Sequence, residues 1–369
     1  MSKTYILSGR RSAVVPRNGA FAHLSIHELS APVLHAALRD ADISANQVGE
    51  LVVANSLGEG GNPARSISLA AGIPEHVAGL TIDRQCVGGL DALILADALI
   101  GSGRHDIAVA GGVESYSRRP IQYRTFADGR DPVEYAQAAF TPWTDRDPDM
   151  AEAADRLARQ LGITKAQQDT WAIESHKKAV AQDHSKVLLE MVEVAGVAHD
   201  PFGRHLTQQH CDRAPVVTGD ITAANMAVAA DGAAYVVMAS ETYVKSKGLD
   251  AVEFIAGKTV GDVPDVPGLA PVKAIQQVLE IAQIDPKDLT TTEIMEAFAV
   301  QAIACQSGAN IPPNIVNPGG GALARGHPIG ASGAILAVRL FHALQWQNGY
   351  GLAAIAAAGG LGTAVVLRG

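Results

Sequence analysis

The chain is 369 residues long and 47% hydrophobic, enough to bury a sizeable core and to build more than one domain. Its formal net charge of −9 excludes a general nucleic-acid-binding surface, while leaving room for a local basic patch that meets a phosphorylated cofactor. Aromatic residues make up only 5% while Gly and Ala abound, a composition that suits helices packed closely in a buried layer.

The opening stretch, MSKTYILSGRRSAVV, runs straight into a strand-like segment without a cleavable apolar region. No apolar run is long enough to span a membrane, since even LAAIAAAGGLGTAVVL is broken by glycines. The cysteines Cys86, Cys211 and Cys305 are too widely spaced for a disulfide framework or a CxxC metal site. A reduced, cytoplasmic chain without a metal is expected.

Between Lys3 and Gly112 strands and helices alternate. TYILSG is followed by a helix over Ile26–Ala41, then ELVVANS, a helix from about Pro63, the strand LTIDRQC, a long helix after Gly89 and the strand DIAVAGG. This rhythm predicts an α/β layer architecture around a mainly parallel sheet. From Arg118 to about Cys211 the rhythm breaks. The segment is rich in Asp, Arg and Gln and carries the helix signals MAEAADRLARQLG and KAQQDTWAIESHKKAVAQDHSK, so it reads as an inserted, mostly helical domain.

The first half closes after TAANMAVAADGAAYVVMASE, and VEFIAGKTVG opens a second half like the chain's own beginning. The order then repeats: residues 32–55 are similar to 271–298, and DIAVAGG to GLAAIAAAGG. A duplicated α/β fold follows, two halves in layered α/β/α arrangement about a pseudo-twofold axis. The predicted division is 1–117 with 212–250, an insertion over 118–211, and 251–369.

Two segments carry the chemistry. Asn317–Gly333, NPGGGALARGHPIGASG, sets His327 among glycines ahead of a helix-forming run, and glycines allow close approach to a ligand. Cys86 lies in DRQCVGGLDALILADALI, again before a glycine pair and an apolar helix, where a helix N-terminus favours a thiolate. Laying residues 91–100 over 333–342 sets Cys86 at Pro328, beside His327, so the same turn-into-helix unit occurs twice. Cys211 and Cys305 have no such context and read as structural.

These motifs resemble those of the thiolases. The cysteine followed by small residues and a long Ala-rich helix matches Cys86–Ala92, and the histidine motif NxxGGAxAxGHPxGASG is matched nearly throughout by Asn317–Gly333. AGGVESYSR, GNPAR, MAEAADRLARQLGITKAQQD and TAANMAVAADGAA are also similar to thiolase segments, so the resemblance covers essentially the whole chain. It implies acyl transfer through a covalent acyl-Cys86, His327 taking the thiol proton, and backbone N–H groups of Cys86 and Ala358 holding the oxyanion. It further implies acyl-CoA and CoA as ligands, no tightly bound cofactor and a homodimer or homotetramer. The insertion would help bind CoA, with Met150 beside the pantetheine.

The sequence departs from the family at three polar positions. Ala356 stands where the second catalytic cysteine would be, Met295 matches the asparagine of the NEAF motif, and Ala227 matches a serine near the pantetheine. Loss of a general base commonly costs about 10²–10⁴-fold in rate. Glu296 and Glu114 survive; both read as structural carboxylates, with Glu296 the nearest candidate for a replacement base. Two functions remain open: an acyltransferase that condenses or thiolytically cleaves a 3-ketoacyl-CoA type substrate, and a CoA-ester-binding subunit that is inactive alone. Some thiolase-like proteins with such departures act with a small partner subunit of oligonucleotide-binding-like fold.

Overall fold

The computed structural model describes residues 3–58, 60–182, 187, 189–345 and 347–369. Strand β1 (Thr4–Ser12) opens the first half, and helix α1 (Ile26–Asp40) starts from a capping box between Ser25 and Glu28. Strand β2 (Glu50–Ala54) precedes α2 (Pro63–Ala70), which Asn62 caps and Pro63 initiates. Strand β3 (Leu80–Ile82), helix α3 (Gly88–Gly101) and strand β4 (Ile107–Glu114) follow.

The inserted segment supplies α4 (Met150–Leu161), capped by Asp149 and ended by left-handed Gly162, and α5 (Lys165–Val180), started by a Thr164–Gln167 capping box. The expected second helix of this segment ends at Val180, and its last residues, 183–186, lie outside the described ones. Strand β5 (Ala230–Ser240) completes the first half. The second half is built from β6 (Val252–Gly261), α6 (Ala270–Ala282), β7 (Leu289–Ile294), α7 (Ala299–Gly308), α8 (Ile329–Leu344), β8 (Tyr350–Ala357) and β9 (Leu361–Arg368).

The hydrogen-bonded strand order is β7-β8-β9-β6-β1-β5-β4-β2-β3. The halves meet where β1 and β6 pair antiparallel through Thr4, Tyr5 and Ile6. Outward from that joint each half repeats two antiparallel pairings and then a parallel one, β1-β5-β4-β2 against β6-β9-β8-β7. The sheet is therefore mixed, where the alternating rhythm predicts a mainly parallel one. Strand β9 returns from β8 through the tight turn 358–360, and so short a connection can only make an antiparallel neighbour.

Side chains sort the structure into layers with the period of two that strands impose. Val236 and Met238 of β5 face inward with Ala108 and Ala110 of β4, while Val237 and Val109 face outward against α1 and α2. Leu90 and Leu93 of α3 and Ala337, Leu340 and Phe341 of α8 fill the inner layer, packed also against Ala353, Ile355 and Val365 of the second half. Helix α6 covers that half's outer face through Ile275 and Val278. Each half is thus the expected α/β/α sandwich, and the two share the α3–α8 layer. At its centre a methyl group on either Gly89 or Gly333 would overlap the other helix's backbone, so glycine sets how closely the two helices approach.

Candidate active site

The shared helical layer brings both halves' chemistry to one point. Cys86 sits in a 3-10 turn, Gln85–Val87, between the edge strand β3 and the start of α3. Gln85 carries a φ of 52°, a left-handed backbone rare for a residue with a side chain, and its N–H donates to Asp83 Oδ1 at 2.9 Å. His327 lies one residue before the Pro328 cap of α8, its backbone N–H bonded to Val228 O at 2.8 Å. Gly326, with φ 119°, makes the turn that precedes it.

His327 Nε2 is 3.1 Å from Cys86 Sγ, and Nδ1 is 2.6 Å from Ser332 Oγ. The Ser332 hydroxyl donates to Pro328 O at 2.9 Å, which leaves its oxygen to accept from Nδ1–H. Nε2 is then unprotonated and faces the thiol. Burial holds His327 down to about 4 and pushes Cys86 up to about 12, with Glu114 and Asp83 adding to the rise. Both shifts favour the neutral forms, thiol beside imidazole.

The pair opens into a cavity of about 310 Å³ that Ala356, Ala358, Met150 and Ala227 also line. Its walls are mainly apolar, with Phe140, Leu157, Met226, Phe298 and Ile329 among them. Among the described lining residues the titratable ones are Cys86, His327 and Tyr116. The sequence-predicted residues Cys86, His327, Ala358, Met150 and Ala227 are thus brought together, and Ala356 is with them.

Glu296 is not. It lines a separate cavity with Trp171 and Lys178, and its carboxylate accepts four hydrogen bonds, from Trp171 Nε1 (3.1 Å), Asn317 Nδ2 (2.7 Å), Ser175 Oγ (2.6 Å) and the Leu323 N–H (3.2 Å). A carboxylate so occupied, outside the Cys86 cavity, ties α5 to the loop ahead of His327, so the expectation of a replacement base there is corrected to a structural bracket. Met295 is buried in the core and does not line the cavity. Cys211 and Cys305 are buried, as their sequence context suggests.

Sequence reasoning missed two supports. Ser332 carries its signal in the motif itself, a hydroxyl five residues beyond the histidine in the helix's first turn. The other is a buried charge network around Arg325. Its guanidinium donates to Gly319 O (2.6 Å) and Gly320 O (2.7 Å) and pairs with Asp200 at 3.2 Å. Asp200 and Glu190 both bind Arg11, and Glu190 and Glu293 both bind Arg339. Arg11 and Arg339 hold Glu190 at about 2, and Arg11 and Arg325 hold Asp200 there, against the desolvation that opposes it.

Fold and site together define a duplicated α/β protein with a cysteine–histidine pair where its two halves meet. Residues 4–242 match the family model described as Thiolase, N-terminal domain, and residues 250–369 the one described as Thiolase, C-terminal domain. The chain belongs to the thiolase family. It is 36% identical over 373 residues to the Bacillus subtilis protein named "Putative acetyl-CoA C-acetyltransferase YhfS", with 98% of each chain covered. Among solved structures it is similar to the Acat5 thiolase from Ascaris suum in complex with coenzyme A, at 30% identity and TM-score 0.92 over 99% of both chains. It is also similar to the Bacillus anthracis acetyl-CoA acetyltransferase, at 29% identity and TM-score 0.93 over 100% of this chain and 99% of that one.

Proposed function

We propose that this protein is an acyl-CoA acyltransferase that cleaves a 3-ketoacyl-CoA type substrate thiolytically through an acyl-Cys86 intermediate. The observation that carries the reading is the 3.1 Å contact between Cys86 Sγ and the unprotonated His327 Nε2 in an apolar cavity. Sγ attacks the C3 carbonyl while its proton passes to Nε2, and the backbone N–H groups of Cys86 and Ala358 hold the oxyanion. Collapse breaks the C2–C3 bond, the electron pair stays on C2, and the imidazolium returns the same proton to C2. CoA then attacks the acyl-Cys86, its thiol proton passing through Nε2 back to Sγ. One proton carrier therefore balances both half-reactions.

That economy fits a cavity in which Ala356 occupies the place of the family's second cysteine and Met295 that of its asparagine. The same steps run in reverse as Claisen condensation, with the imidazole that protonates C2 in cleavage removing that proton, since a catalyst lowers the barrier in both directions. The reading includes Met150 and Ala227 along the pantetheine arm, CoA and acyl-CoA as ligands without a resident cofactor or metal, and a cytoplasmic homodimer or homotetramer. No helix among the described residues is long and apolar enough to cross a membrane.

A second reading, a CoA-ester-binding subunit that works only with a small partner of oligonucleotide-binding-like fold, draws on one observation. Beyond Cys86 and His327 the described cavity residues offer only Tyr116 as an acid or base. One experiment separates the two. The purified protein is incubated with acetyl-CoA and a panel of longer and aromatic acyl-CoAs, and its intact mass is compared with that of Cys86→Ala. An acyl adduct that requires Cys86 and no partner is expected, and the preferred thioester reports the substrate class. Folded protein that takes no acyl group from any thioester overturns the proposal in favour of the second reading.

A further inference from the structure

We infer that Glu114, at the end of β4, is a positioning residue that holds His327 against Cys86 by capping α8 from another strand. The inference rests on the reading of Cys86 as nucleophile and His327 as its base. Helix α8 begins at Pro328, which offers no side-chain acceptor for the free N–H groups of the first turn. Glu114 supplies that acceptor: its Oε2 takes the Gly330 N–H at 2.9 Å and the Ser56 N–H at 3.2 Å. Its Oε1 takes the Leu57 N–H at 3.1 Å and Asn55 Nδ2 at 2.9 Å.

One buried carboxylate thus fastens the loop after β2 to the first turn of the helix that carries His327 at its mouth. A negative charge at a helix N-terminus is favourable in itself. The packing around it leaves no slack, since a methyl group at Gly112 would overlap the Gly330 carbonyl and one at Gly330 would overlap the Ala54 backbone. The carboxylate also works against the thiolate, for its charge adds to the rise in the Cys86 thiol. Asp83 is the charged neighbour that couples to both, and the four groups bonded to Glu114 are neutral amides. Burial pushes Glu114 itself up to about 7, so its charge changes near neutral pH.

Charge and reach are separable by two substitutions. Glu114→Gln removes the charge and turns an NH₂ group toward N–H donors. Glu114→Asp keeps the charge but falls short of Gly330. Two rates are measured in folded protein across pH: alkylation of Cys86 by iodoacetamide, which needs no acyl donor, and acyl-adduct formation from the best thioester. In Glu114→Gln the alkylation midpoint is expected to fall by about one pH unit, while acylation slows by about 10²-fold as the imidazole shifts. In Glu114→Asp the midpoint stays and acylation slows to a similar degree. Acylation by Glu114→Asp at the wild-type rate overturns the inference, as does a Glu114→Gln protein that is less stable but unchanged in both rates. If wild type is alkylated at Cys86 yet never acylated, it is the parent reading that fails.

Discussion

The mouths of α3 and α8 occupy equivalent places in the two halves, yet they are held by different physics. The Cys86 side hangs from a three-residue edge strand and a 3-10 turn with left-handed Gln85, and its ion pair, Arg84 with Asp91, has a half-exposed guanidinium. The His327 side is clamped from below. Arg325, two residues upstream, grips two carbonyls of its own loop and Asp200, and three buried arginines share three carboxylates behind it. Duplication has copied the topology and left the electrostatics to one copy. In the proposed reaction the nucleophile Cys86 is the side carried by the short edge strand and 3-10 turn, and the base His327 is the clamped side.

The sharpest way to break this comparison is at the base. His327→Asn keeps a polar side chain but removes the proton acceptor. Acyl-adduct formation at Cys86 is expected to slow by about 10²–10⁴-fold. Equal acylation by this variant and wild type, followed by intact mass against time, would leave Cys86 without a need for its neighbour.

Next comes the clamp. Glu190→Gln leaves the buried guanidinium groups of Arg11 and Arg339 short of a countercharge, and breaking a buried pair costs about 3–5 kcal/mol. Urea unfolding at neutral pH measures it. The sign with pH follows from Glu190 being held at about 2 against an ordinary value of 4.5. Between those limits the unfolded chain binds a proton that the folded one does not, so the group stabilises above about 4.5 and that contribution is lost toward about 2. The gap between wild type and Glu190→Gln is therefore expected to be widest above 4.5 and to narrow as pH falls.

How much of this was legible in the sequence follows the same division. Cys86 and His327 are legible as a candidate pair because their signal is local, a side chain of reactive type beside glycines and ahead of an apolar helix. The repeat of halves is legible because strand and helix periods are local too. The clamp is not, since Arg11, Glu190, Asp200, Glu293, Arg325 and Arg339 are each an ordinary charge in an ordinary stretch, and only the fold shows that they meet. Glu296 is half legible for the same reason. The sequence reads it as a structural carboxylate with a replacement base as the alternative, while Trp171 and Ser175, which occupy its carboxylate, come from the inserted segment.

The smallest expected change, and the one that refines the comparison most, is Ala356→Cys. Ala356 shares the cavity with Cys86 and His327 and lies in the Ala-rich run of β8, so a thiol there adds one sulfur without disturbing buried charge. If His327 alone carries the proton in cleavage, the added thiol leaves acyl-adduct formation within about a few-fold of wild type, since it is not needed to activate Sγ. What it adds is a second acid–base group facing the substrate's C2. Exchange of C2 hydrogens of acetyl-CoA with deuterated solvent, read by mass spectrometry, is then expected to rise in Ala356→Cys above a wild type that is nearly silent. Exchange in wild type that persists in His327→Asn would show that the chain already holds a second proton carrier, and would shift the asymmetry of the site from its base to its substrate.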